Sequence, residues 1–280
     1  MQALVDSARR KESVLVAGLD PIPSRLPEEF KDLPEAEAVL RFCRGVLEAV
    51  EPYVAAVKPQ AAYFERLGPA GMKVYAELIK DAKELGLPVI ADVKRGDIGP
   101  VAGAYAEAHF GVYGATCVTI NPYMGADAVI PFLEEARRQG LGGGVFVLVA
   151  TSNPSAAGFQ EITSPPLYEV AARLVAQLGR DTGGAYPDAG AVVGATRPGV
   201  GQRVRELLPD ALFLAPGYGA QGGDATGVRH LLNERGTGVL VNSSRGILYA
   251  YEGSQVGYLE AAREASRTVR NELRYAGVKV

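Results

Sequence analysis

The chain has 280 residues, 48% hydrophobic and 22% charged, with 29 Lys plus Arg against 32 Asp plus Glu and a net charge of −3. Nothing in that balance suggests a nucleic-acid or membrane-surface partner held by bulk charge, and a small anionic ligand would need a local basic site. Two cysteines, Cys43 and Cys117, and two histidines, His109 and His230, have no metal-ligand spacing, which argues against a disulfide framework, a structural zinc and a histidine-based triad.

The first residues, MQALVDSARRKESV, lack the apolar centre of a signal peptide, and no apolar run reaches membrane-spanning length. The expectation is a cytoplasmic enzyme-sized chain. Short runs rich in β-branched residues then recur. They predict strands at 13–20, 54–60, 87–94, 116–122, 145–152, 191–196, 212–217 and 238–244. Most are continuously apolar, as strands buried on both faces require. Amphipathic stretches lie between them, at 35–50 and about 70–85, 100–113, 126–139, 167–179, 201–208, 226–235 and 258–274. In the first, Val39, Phe42, Val46 and Val50 share one helical face. Eight strand–helix units predict a (β/α)₈ barrel, a TIM barrel, spanning 1–280 as one domain. An open doubly wound sheet is the alternative, but it needs two edge strands and none stands out. The longest irregular stretch, 151–166, leaves the C-terminal end of the fifth strand, where a barrel places an active-site lid.

Polar residues gather at the C-terminal ends of these strands: Asp20, Lys58, Asp92 and Lys94, then Thr151, Ser152 and Asn153, then Asn242, Ser243, Ser244 and Arg245. Strand alternation puts Asp92 and Lys94 on one face. The first three strands are neighbours in a barrel, so Asp20, Lys58, Asp92 and Lys94 should alternate acid and base. A buried structural ion-pair network is the plain alternative, but desolvating each ion costs several kcal/mol. At the catalytic mouth of a barrel, function is the better reading. After the seventh strand comes APGYGAQGGDATG (215–227), whose glycines let backbone N–H groups turn toward an anion ahead of a helix start. Arg245 follows the eighth strand as a bidentate donor. Barrels bind phosphate in these two loops, so a phosphorylated small molecule is expected.

The segments VAGLDP, KPQ, DVKRGDI, TSNP, PGYGAQGGD and SSRG resemble, in this order, the motifs of the orotidine 5′-phosphate decarboxylase family, and KRGDIG and TSNP resemble its longer bacterial subgroup. The resemblance spans essentially the whole chain. It implies decarboxylation of orotidine 5′-phosphate to UMP, the last step of de novo pyrimidine nucleotide synthesis, with no cofactor and no metal. It implies catalytic roles for Lys58, Asp92, Lys94 and Asp97, and a homodimer in which Asp97 serves the partner's site. It further implies substrate contacts by Asp20 (ribose), Ser152 (pyrimidine), Gln221 and Arg245 (phosphate), and by Ile98 within the DVKRGDI signature. One departure is Val101, where the family usually has Thr.

The expected chemistry follows from the array. Lys94 places a cation where carbanion character develops and then delivers the proton, with Asp92 and Asp97 keeping it charged. A Schiff-base aldolase is one rival, but its lysine must become neutral, which flanking carboxylates oppose. A Mg²⁺-dependent sugar-phosphate decarboxylase or synthase of related barrel type is the nearer rival, but Lys58 would stand among its metal-binding carboxylates. A nucleotide-binding protein without catalysis is the third, and the intact array argues against it.

Overall fold

The continuously apolar runs fold as the pattern requires. In the computed structural model, which describes residues 1–219 and 222–280, they form strands β1 Leu15–Leu19, β2 Ala56–Pro59, β3 Ile90–Arg95, β4 Cys117–Ile120, β5 Gly144–Ala150, β6 Ala189–Val193, β7 Phe213–Ala215 and β8 Val239–Ser243. All pairings are parallel, in the order β2-β1-β8-β7-β6-β5-β4-β3. Parallel bridges Val57–Val89 and Gln60–Asp92 join β2 to β3 and close the ring. The result is a (β/α)₈ barrel, and the open-sheet alternative fails because no edge is left.

Helices wrap this ring because each carries one apolar stripe. In Glu35–Val50, Val39, Phe42, Val46 and Val50 are fully buried, while Arg41 is exposed. Further long helices run over Gly68–Glu84, Ile130–Gln139, Leu167–Leu178, Pro198–Leu207 and Tyr258–Tyr275. Among the described residues no helix is long and apolar enough to cross a membrane.

The structure differs from the sequence reading in several places. Residues Gln2–Lys11 form a helix that was not predicted, burying Leu4, Val5 and Ala8. The predicted helix at 226–235 stops at Arg229. The Asn233 side chain accepts from the N–H groups of Arg235 and Thr237 at 3.0 and 3.1 Å, and this Asn-centred turn replaces the helical bonds. The predicted helix at 100–113 is α-helical over Gly99–Ala106 and then widens into a π-helical turn over Glu107–Val112. The irregular 151–166 stretch contains one helical turn, Ala157–Gln160.

Arg205 locks the N-terminal end of β7 and β8. Its guanidinium is buried and donates to the carbonyls of Leu231, Leu208, Ala211 and Gly238 at 2.7–2.9 Å, and it stacks 3.5 Å above the Phe213 ring. Burial lowers its pKa to about 10, and the four carbonyls supply the hydrogen bonds that solvent would have given.

Candidate active site

At the C-terminal mouth of the barrel lies a cavity of about 420 Å³. Asp20, Lys58, Asp92, Lys94, Ser152 and Arg245 all line it. The first four form a continuous chain of alternating charge. Asp20 Oδ1 lies 4.0 Å from Lys58 Nζ, which donates to Asp92 Oδ2 at 2.7 Å, while Lys94 Nζ donates to Asp92 Oδ1 at 2.5 Å.

Adjacent strands set this order. Gly18 of β1 pairs in register with Lys58, and the bridge from Gln60 to Asp92 aligns β2 with β3. Two further groups hold Asp92: Gln60 Nε2 donates to Oδ2 at 3.0 Å and Thr119 Oγ1 donates to Oδ1 at 2.9 Å. A carboxylate accepts about four hydrogen bonds, so Asp92 is saturated.

Burial and charge oppose each other here. Burial alone would raise the Asp92 pKa, but Lys58 and Lys94 outweigh it and hold the carboxyl well below the usual carboxylate range. Burial alone would lower the Lys58 pKa, but Asp92 and Asp20 outweigh it and move the ammonium above the ordinary lysine value. Both groups are therefore charged at neutral pH. Lys94 differs in access: its side chain is 46% exposed against 4% for Lys58. Asp20 Oδ1 is buried without a hydrogen bond among the described residues, with the Lys58 ammonium 4.0 Å away.

Asp92 and Lys94 meet, but regular strand alternation is not what brings them together. The register shifts within β3, and Lys94 has φ 45°, in the left-handed region. A bulge, not regular pleating, brings the Lys94 ammonium onto Asp92.

The other end of the cavity lies against β7 and β8. Pro216, Gly217, Tyr218, Ser244 and Arg245 line it. Gly217 and Gly219 have φ of 99° and 73°, conformations that need glycine, and the chain turns back so that Gly219 N–H donates to Gly223 O at 2.8 Å. The helix start expected to face an anion does not do so freely. The helix Ala225–Arg229 is short, and the Asp224 carboxylate already accepts from Gly227 N–H at 2.8 Å. Arg245, at the start of the segment after β8, lines this end of the cavity. Gln221 lies outside the described residues.

Asp97 and Ile98 do not line the cavity of their own chain. The Asp97 carboxylate accepts from Ile98 N–H at 2.9 Å, and Ile98 is 51% exposed. Sequence reasoning missed Gln60, Thr119, Leu148, Val192, Leu214 and Tyr218 as cavity residues. Gln60 stood in the quoted KPQ motif. Tyr218 stood in the quoted PGYGAQGGD segment, and the others are β-branched or aliphatic residues that any buried strand carries.

Residues 15–257 match the profile of the orotidine 5′-phosphate decarboxylase / HUMPS family. The chain is 42% identical over 276 residues to an orotidine 5′-phosphate decarboxylase of Deinococcus radiodurans, covering 97% of this chain and 96% of the relative. It is 38% identical over 291 residues to one of Rhodopirellula baltica, covering 95% of each. Among solved structures, the OMP decarboxylase of Leishmania donovani superposes with a TM-score of 0.81 at 32% identity, covering 99% of this chain and 98% of that one. The Plasmodium berghei orotidine 5′-monophosphate decarboxylase, at 18% identity and a TM-score of 0.80, shows the shared fold alone. With a profile match over most of its length and full-length relatives well above 30% identity, the chain belongs to the orotidine 5′-phosphate decarboxylase / HUMPS family.

Proposed function

We infer that this chain is a lyase that decarboxylates orotidine 5′-phosphate to UMP, the closing step of pyrimidine nucleotide synthesis. The observation that carries the reading is the Asp20–Lys58–Asp92–Lys94 chain at the mouth of a barrel of this family. The C6–carboxylate bond breaks, CO₂ leaves, and the electron pair stays on C6. Lys94, the exposed end of the chain, stabilises that charge and transfers a proton to C6. Asp92 and Lys58 fix its position, and Asp92 holds negative charge near the departing carboxylate. Asp20, on the cavity wall beside Lys58, takes a ribose hydroxyl. Ser152 contacts the pyrimidine, and Arg245 with Gln221 takes the phosphate. Binding energy gathered at that remote phosphate acts on the reacting end in the transition state.

The reading extends to a homodimer. Asp97 and Ile98 serve the partner's cavity rather than their own, which their position outside it supports. Val101, Tyr123 and Met124 add exposed apolar surface on the neighbouring segments after β3 and β4. The whole chain acts as one barrel domain of the longer bacterial subgroup, which the full-length match to bacterial relatives supports. We place it in the cytoplasm, with a nucleotide as its ligand rather than nucleic acid or membrane, and the net charge of −3 supports that choice of ligand.

A Mg²⁺-dependent sugar-phosphate reaction fits less well, because the Lys58 ammonium already stands between Asp20 and Asp92. The deciding measurement is the ultraviolet absorbance change of orotidine 5′-phosphate with enzyme dialysed against EDTA. Loss of substrate and formation of UMP are expected at an undiminished rate. No loss of orotidine 5′-phosphate, with sugar-phosphate turnover on adding Mg²⁺, would move the chain to that other chemistry.

A further inference from the structure

Lys94 owes its place to a bulge, which Thr119 of the neighbouring strand supports. Ala91 pairs with Val118 and Arg95 with Ile120, so three residues of β3, Asp92 to Lys94, stand opposite the single residue Thr119 of β4. A bulge of this kind leaves backbone N–H groups without a ladder partner. Here Thr119 Oγ1 accepts from Val93 N–H and from Lys94 N–H, both at 3.0 Å. The same hydroxyl donates to Asp92 Oδ1 at 2.9 Å. A hydroxyl has one donor and two acceptor sites, so all of its capacity is used, and Thr119 is 1% exposed.

We propose that Thr119 is a positioning residue for the decarboxylation reaction, holding both the Lys94 backbone and the Asp92 carboxylate through one oxygen. The proposal rests on the functional reading above. Lys94 has φ 45°, which an L side chain rarely adopts and which persists only where its surroundings impose it. Thr119 imposes it by bonding the N–H of that very residue. Its bond to Asp92 occupies the same oxygen that receives Lys94 Nζ, so it also sets the direction of the ammonium. The γ-methyl and hydroxyl of Thr match the shape of Val, so Thr119→Val removes the hydrogen bonds with little change in volume. It leaves two bulge donors unpaired and Asp92 one donor short. Transition-state stabilisation depends on sub-ångström placement of the cation, whereas phosphate and ribose contacts lie elsewhere in the cavity.

The loss should therefore fall on kcat and not on KM. Sites competent to bind are counted by calorimetric titration with UMP, and turnover of orotidine 5′-phosphate is expressed per binding site. Thr119→Val is expected to lose at least about tenfold in kcat with KM within about threefold, and Thr119→Ser, which keeps the hydroxyl, is expected to recover most of the rate. Thr119→Cys, a poor hydrogen-bonding replacement of similar size, carries the same expectation if the Val variant does not fold. A merely structural threonine would lower the number of binding sites while kcat per site stayed at the wild-type value. That result in the Val or Cys variant, or a loss confined to KM, overturns the proposal. Wild-type protein that binds UMP but never consumes orotidine 5′-phosphate would instead overturn the functional reading, so the two failures are distinct.

Discussion

Lys58 and Lys94 both donate to Asp92, yet they cannot do the same work. Both line the cavity, but the Lys58 side chain is almost wholly enclosed whereas that of Lys94 is about half exposed. Lys94→Ala should therefore lower kcat by at least about a hundredfold, on the order of 3 kcal/mol, while the thermal midpoint moves little. Lys58→Ala should lose activity and stability together, because it leaves a carboxylate that is 7% exposed without its closest buried counter-ion. Breaking a buried pair in this way costs roughly 3–5 kcal/mol. Thermal unfolding recorded beside kcat separates the two cases, and equal stability losses would contradict the division of roles. The sign of the pH effect follows from the same contacts. Asp92 has its folded pKa depressed, so its contribution is present above the ordinary carboxylate range and is lost only as pH falls through a much lower value. The Lys58 contribution, with a raised pKa, is present below the ordinary lysine value and fades only as pH rises beyond it. Around neutrality neither group titrates.

The long elements were legible and the short irregular ones were not, for physical reasons. Strands such as β5 are buried on nearly every residue, so composition alone marks them, and Glu35–Val50 announces itself by its stripe. The Gln2–Lys11 helix is short and precedes the first strand, outside the strand–helix repeat by which the other helices stand out. The β3 bulge escaped because alternation assumes regular pairing, and Thr119 escaped because threonine is an ordinary strand residue. The π-helical turn at Glu107–Val112 was read as a plain helix, yet it carries His109, 3% exposed and packed among Tyr75 and Tyr113. Burial, with Arg95 nearby, pushes the His109 pKa down to about 4. The folded state thus binds this proton less readily than the unfolded chain, so stability is fully present above about 6.5 and falls as pH drops toward 4. Urea unfolding of wild type and His109→Phe across that window should show a steeper loss in the wild type, by up to about 3 kcal/mol at the acid end. Parallel curves would mean that His109 does not titrate on unfolding. The 151–166 segment folds back on itself, with Gln160 Nε2 donating to Thr151 Oγ1 at 2.7 Å, and meets its surroundings through the Glu161–Arg197 ion pair and the Phe159–Tyr123 ring contact. Since Thr151 and Ser152 line the cavity, UMP binding should slow hydrogen exchange across this segment, and unchanged exchange would make it a connector rather than a lid.

At the scale of the molecule, the barrel explains why residues as far apart as Asp20 and Arg245 were legible as one site: parallel strands closed in a ring deliver all their C-terminal ends to one mouth. The same geometry excludes Asp97. It follows Gly96 past the end of β3 and stays off the cavity of its own barrel, beside Ile98 and Val101 at 51% and 49% exposure. If those apolar side chains meet a second copy across a two-fold axis, each Asp97 reaches the other barrel's Lys94. Complementation tests this directly. Lys94→Ala and Asp97→Ala homodimers should each be nearly inactive, since every site in either carries one lesion. Mixed after reversible dissociation, they form heterodimers in which one site collects both lesions and the other collects none. Random exchange makes about half of the dimers mixed, so about a quarter of all sites should regain full activity. If Asp97 serves its own chain, every site in every dimer keeps a lesion and no activity returns. Mass spectrometry of the intact dimers shows whether exchange took place. Confirmed heterodimers without recovered turnover would remove the shared site, while recovery near a quarter would fix Asp97 in the partner's cavity.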